Sequence, residues 1–373
     1  AGFKFINAYL LEVFMSSSKS QSNPACPVFF SKNVTFVLKG AGIILMLFHH
    51  LFSCSADLVE KYHVSSRLIP IDKIMTLSAL SKICVAIFVF LSACGITISL
   101  RQKPKDQQTG YVWHRYKKLA FGFLIVYLIS ILTFFLRADR LGIYFKEGGL
   151  KGIFYMIIDA SGLASFFGTP SYNETWWYMS VAILMVFAMP LLISLYDHFG
   201  LSAVVVAAML TYLGIPLTAF TTYLFTMLLG IMAASENIYG YLFSLRKKLK
   251  SIKSDTVFYS LALVFFAFLF LVILTFRFKC GHEDLTDGLL ALILSGIFFI
   301  LTDLKGFRFP FLSLLGKHSM NMFLLHTLIF EYYFTNFIYS FHNWLLITLV
   351  LLCASLVISV VIDFFKSKYS VYH

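Results

Sequence analysis

The chain has 373 residues, of which 59% are apolar and only 13% charged, with a mean hydropathy of +0.83. Soluble domains carry roughly a quarter charged residues, so this composition excludes a water-soluble globule and indicates a polytopic membrane protein. The net charge of +12 does not point to nucleic acid, because the 30 lysines and arginines fall in short loops between apolar runs instead of gathering on one basic surface.

A membrane span needs about 20 mostly apolar residues in a helix. In chain order, such windows lie at 34–54, 78–100, 119–136, 174–195, 201–216, 218–236, 256–276, 286–302, 310–334 and 343–364. They predict an all-α fold of about ten transmembrane helices. An eleventh stretch, 152–168 (GIFYMIIDASGLASFFG), is interrupted by Asp159, Ser161, Gly162 and Ser165 and reads as a re-entrant or interfacial segment. With the N-terminus inside and that stretch not crossing, twenty basic residues fall on the cytoplasmic side and nine outside, while Lys82 snorkels near an outer helix end. A crossing at 152–168 would instead turn RKKLK (246–250) outward. The expected organisation is a cytoplasmic N-terminal segment (1–33), one membrane domain (34–366) and a cytoplasmic tail (367–373), in the inner or plasma membrane of a cell. The N-terminal stretch lacks the ordered basic, apolar and small-residue regions of a cleavable signal peptide. Cys26, Cys54, Cys84, Cys94, Cys280 and Cys353 show no CxxC and no metal-ligand spacing, so most are expected to pack as small apolar residues and no metal is expected.

Ionisable side chains inside the hydrocarbon are costly and are therefore candidates for function. The first span reads Lys39-GAGIILMLF-His49-His50. At 100° per residue, Lys39 and His50 are about 20° apart around the helix and roughly 16 Å apart along it, whereas His49 lies about 80° off that line, toward a neighbouring helix or the outer interface. A cation low and an imidazole high on one face would suit a long, thin ligand with an anionic end in the cytoplasm. Coenzyme A carrying an acyl group is such a ligand, and histidine is the side chain suited to take a proton from a hydroxyl near neutral pH. An equally simple reading has Lys39 snorkelling at a helix end and the histidine pair hydrogen-bonded at the interface.

Four motifs occur in order over about 300 residues: LKGAGIILMLFHH (38–50), FVFLSACGI (88–96), TWWYMSVAILMVFAMPLL (175–192) and LLGKHSMNMFLLHTLIF (314–330). Together they resemble the acyltransferase-3 family of integral membrane proteins, which O-acylate cell-surface glycans and related acceptors. The resemblance implies that His50 is the catalytic base, with His49 beside it, and that Lys39 holds the course of an acetyl-CoA or other acyl-CoA donor. It also places a basic pair at the foot of the third span, here Arg115-Tyr-Lys117-Lys118. The lysine at 118, where the family has a second arginine, offers a point charge in place of a bidentate fork. The same cations satisfy the positive-inside pattern by themselves.

Ser319 and His326 are seven residues apart and share a face of the ninth span. They read as hydrogen-bond glue between helices or as lining of the cavity that holds His50. Trp177 and Tyr178, after Glu174, suit an aromatic belt or a platform for a sugar ring. The expected function is O-acetyl or other O-acyl transfer from cytoplasmic acyl-CoA to a hydroxyl of an extracytoplasmic glycan or lipid-linked acceptor, within membrane lipid. The alternative is a proton-coupled transporter or flippase of a lipid or glycan, although no inverted repeat or mid-span acidic residue supports it. A structural or sensor role would leave the register of Lys39 and His50 to chance.

Overall fold

The computed structural model describes residues 31–133, 138–215, 218–249 and 254–366. Among these the regular elements are helical, apart from an isolated bridge between Ser65 and Asn343. Residues 1–30 of the expected N-terminal segment, the tail 367–373 and the end of the RKKLK loop lie outside the described residues.

The first helix, α1 (Lys32–His49), starts at Ser31, whose hydroxyl accepts from the Val34 amide at 3.2 Å and donates to Asp303 at 2.7 Å. This N-cap also ties the start of α1 to a second segment of the chain and so sets its depth. The helix continues through a wide π turn, His50–Cys54. The chain then runs through α2 (Ile71–Leu80), α3 (Cys84–Arg101), α4 (Lys105–Leu132), α5 (Gly149–Ala160), α6 (Trp177–Phe199), α7 (Leu201–Tyr212) and α8 (Leu224–Ser235). It ends with α9 (Asp255–Cys280), α10 (Glu283–Phe299), α11 (Pro310–Lys317), α12 (Ser319–Thr327) and α13 (Trp344–Lys366).

Among the described residues, six stretches are long and apolar enough to cross a membrane: Lys32–Cys54, Ile71–Arg101, Glu174–Phe199, Asp255–Lys279, Glu283–Leu304 and Trp344–Lys366. The other four expected windows take different forms. α4 holds all its charged residues in its first half and its continuous apolar run in its second. α7 and α8 have 12 residues each, about 18 Å of helix against a hydrocarbon layer of about 30 Å. The window 310–334 is divided into α11, α12 and a π turn, Leu328–Tyr333. The interrupted stretch 152–168 forms the end of α5, a turn and a short helix, Ala164–Phe167. α5, also 12 residues long, is too short to cross by itself.

α1 is shared by two apolar clusters. Val34 and Leu38 in its first half pack with α3, α6, α8 and α10, whereas Ile43, Met46 and Leu47, with Leu51 beyond them, pack with α4, α12 and α13. On one side α1 runs backbone to backbone against α11. A Cβ on Gly40 would overlap the Leu312 carbonyl, and one on Gly316 would overlap the carbonyl of Phe36. Small residues at such crossings let helices close where lipid supplies no hydrophobic drive. By contrast α9 turns Leu261, Val264, Phe268 and Leu271 outward, each more than half exposed, as suits a helix facing hydrocarbon.

Candidate active site

Because α1 keeps regular geometry up to His49, Lys39 and His50 stay on one side of it, and both line a single cavity of about 390 Å³. The walls opposite come from α3, α4, α6 and α12, which contribute Ser92, Arg115, Tyr178 and Ser319. A second cavity of about 350 Å³ adjoins it, since Lys39, Ser92, Arg115 and Ser319 line both. It extends past Lys118 to His318, Asp363 and Lys366. A passage thus runs along α1 from a cationic end to a histidine end. Packing of α1 against α11 and α12 brings the fourth motif to it, and α6 carries the third to the facing wall.

At the histidine end, the His50 ring lies 5.4 Å from His49 and 4.8 Å from His326, centroid to centroid. Among the described residues His50 has no hydrogen-bond partner, which leaves its ring nitrogens available to a ligand in the cavity. His49 reaches across to α2, where its Nδ1 donates to the Ser78 carbonyl at 2.9 Å. A carbonyl only accepts, so Nδ1 carries the proton and Nε2 holds a lone pair in the neutral ring. Nε2 is 3.4 Å from the thiol of Cys54. The sequence geometry anticipated the neighbouring helix for His49; it did not anticipate that His49 would also line the cavity.

His326 is fully buried and is not part of the cavity wall. Its Nδ1 donates to the Phe323 carbonyl at 2.6 Å, and Nε2 accepts from Thr327 at 3.1 Å. Thr327 in turn meets Thr175 at 3.0 Å. Both nitrogens are therefore engaged within α12, only Thr327 reaches the entry of α6, and the ring lies against His50. Ser319 lines the passage instead.

Trp177 stacks on Tyr223 with its ring plane tilted by 16°, and Tyr178 meets Phe323 edge-on at 5.7 Å; both line the cavity. Glu174 points away, largely exposed and 3.9 Å from Arg140. Of the basic residues on α4, Arg115 lines both cavities and donates to the Tyr111 hydroxyl at 3.2 Å, Lys118 lines the second, and Lys117 is exposed and lines neither.

Sequence reasoning missed three contributions. Cys54 and Lys82 line the histidine end of the cavity, the first through the π turn and the second in the short turn Ser81–Ile83 before α3. At the cationic end, His318 Nδ1 meets Asp363 at 2.6 Å, Asn321 donates to the same carboxylate at 2.6 Å, and the buried Lys366 ammonium donates to Asn321 at 2.6 Å and to the Gly122 carbonyl at 2.9 Å. The spacing of Asp363 and Lys366, three residues apart at the end of an apolar run, was the signal available for these two. Away from the passage, buried Asp159 accepts from Tyr144 at 2.5 Å, from the Tyr172 amide at 2.7 Å and from Ser171 at 2.9 Å. Burial pushes its carboxyl above the ordinary carboxylate range, although these hydrogen bonds pull the other way.

The family model described as an acyltransferase domain matches residues 37–364. No curated protein matches the chain, and neither does any solved structure. The match spans nearly the whole helical bundle, so the chain belongs to the acyltransferase-3 family of membrane acyltransferases.

Proposed function

We propose that the protein transfers an acyl group, acetyl in the simplest case, from cytoplasmic acyl-CoA to a hydroxyl of an extracytoplasmic glycan or lipid-linked acceptor. The observation that carries this reading is that Lys39, Arg115 and His50 line one cavity inside an apolar bundle. The donor is made inside the cell and the acceptor lies outside, so the reacting groups must meet within the membrane. A narrow passage that is cationic at one end answers that requirement. The basic loops favour cytoplasmic termini, which would put Lys39, Arg115 and Lys118 on the donor's side and His50 toward the acceptor.

In this reading the coenzyme A phosphates engage the Arg115 guanidinium, whose fork can bind phosphate bidentately, together with the ammonium groups of Lys39 and Lys118. The pantetheine arm runs along α1, and the thioester comes to rest by His50. His50 takes the proton as the acceptor oxygen attacks the acyl carbon, and the Trp177 and Tyr178 rings give a sugar a face to stack on. The dry walls strengthen each charge interaction relative to water.

The test is acetyl-CoA binding by purified protein, together with mass spectrometry of surface glycans from cells carrying wild type or His50→Ala. A glycan that loses mass in acetyl steps only when His50 is replaced supports the assignment. A His50→Ala protein that acetylates as well as wild type removes it.

A further inference from the structure

We infer that Cys54 is a nucleophile that carries the acyl group as a thioester before it reaches the acceptor. The inference rests on the acyl-CoA reading above and on an arrangement that this reading does not use.

Three observations converge. First, the Cys54 thiol lines the same cavity as His50 and is exposed to it. Second, it meets His49 Nε2 at 3.4 Å, and the Ser78 carbonyl on α2 holds His49 in the tautomer whose free lone pair faces the thiol. Nucleophile, base and orienting acceptor in that order are the arrangement that activates a weakly acidic side chain, since the thiolate and not the thiol attacks. Third, the backbone makes a special provision for the contact. In a continuous α-helix residues 49 and 54 would lie about 140° apart around the axis. The π turn His50–Cys54 closes its hydrogen bonds five residues apart instead of four, which returns Cys54 over His49. Of the other described cysteines, Cys84 also lines the cavity but is itself buried, Cys94 is buried, and Cys353 is exposed on α13 outside the cavity.

The chemistry balances without a further reactant. The Cys54 proton passes to His49 Nε2, Sγ bonds the acyl carbon, and the bond from that carbon to the coenzyme A sulfur breaks. The departing thiolate takes the proton from His49, so one thioester replaces another. The acceptor oxygen then attacks the acyl-cysteine, His50 takes the hydroxyl proton, the bond to Sγ breaks, and the proton returns to the thiolate. The donor can leave before the acceptor arrives, which suits substrates that enter from opposite ends of a passage.

The test uses purified full-length protein in detergent with radiolabelled acetyl-CoA and, separately, radiolabelled free coenzyme A, without acceptor. The expected result for wild type is an acid-stable, hydroxylamine-labile label on the protein and exchange of free coenzyme A into acetyl-CoA. Cys54→Ala and Cys54→Ser bring both to background while still binding acetyl-CoA, which shows that they are folded; Cys353→Ala keeps both. His49→Gln lowers exchange by about a hundredfold with donor binding unchanged. The covalent step is overturned, and the acyltransferase reading left standing, if wild type binds acetyl-CoA and acylates acceptor in membranes yet shows neither label nor exchange. It is overturned equally if Cys54→Ala transfers acetyl to the acceptor as well as wild type. A wild type that neither binds acetyl-CoA nor releases coenzyme A would overturn both.

Discussion

The two ends of the passage are built on different principles. At the Lys39 end, the cations of α4 and α13 sit among polar partners: Arg115 bonds Tyr111, and the Lys366 ammonium is held by Asn321 and a carbonyl. At the His50 end the walls include rings and the thiols of Cys54 and Cys84, with Lys82 held 3.3 Å from Glu283. Cations braced by neighbours are suited to gripping a charged ligand repeatedly without rearranging. Imidazoles whose second nitrogen is pinned by a carbonyl, as in His49 and His326, have their tautomer chosen in advance, which is what a proton-transfer site requires. In the proposed reading, one end serves affinity and the other chemistry.

That contrast can be broken by separating the two effects in one assay. His50→Ala should reduce acyl transfer at saturating donor by about a hundredfold or more, the usual contribution of a general base, while donor affinity stays near wild type. A parallel loss of affinity would place the donor's anchor at the wrong end. Lys39→Ala and Arg115→Ala should do the reverse, raising the apparent KM for acetyl-CoA by about tenfold, in line with loss of one charge-assisted hydrogen bond, with kcat little changed. Arg115→Lys should recover only part of this, because it keeps the charge and loses the fork; full recovery would argue against bidentate binding.

A packing change should act on both ends together. Gly316→Val would drive a side chain into the Phe36 carbonyl and wedge α11 from α1, costing about 1–3 kcal/mol. Thermal unfolding in detergent should fall by several degrees, with transfer and donor binding weakened alike; an unchanged melting temperature would show that the crossing is not tight. The smallest effect concerns Asp159, which does not line the passage. Its raised native value means that the folded protein binds the proton more tightly than the unfolded chain. The stability contributed by Asp159 is therefore full below about pH 4 and declines as pH rises through the native value. Asp159→Asn should flatten that decline, and parallel melting curves of the two proteins across pH would contradict it.

Much of the site was legible because α1 is regular. The eleven-residue separation of Lys39 and His50 fixes their common face through helix geometry alone, and both line the cavity. The LGKHS motif was legible as a motif but not as a mechanism of packing, since only the crossing shows Gly316 against the backbone of Phe36. The role of His326 could not be separated from that of Ser319, because both share a face and only the partners Phe323 and Thr327 distinguish a ring held internally from a hydroxyl on the passage. Cys54 was invisible for a related reason. An α-helical wheel puts it on the wrong side, and the π turn that corrects this has no marker in the residues themselves.

The sequence by itself determined a helical membrane protein, its family motifs and the line from Lys39 to His50, since hydropathy and helical periodicity act within single segments. The tertiary structure decided which helices stop short, where 310–334 breaks, and how Ser78, Cys54 and His326 gather around two histidines. Those outcomes depend on which backbone approaches which, and such approaches join residues distant in the chain that no local pattern relates.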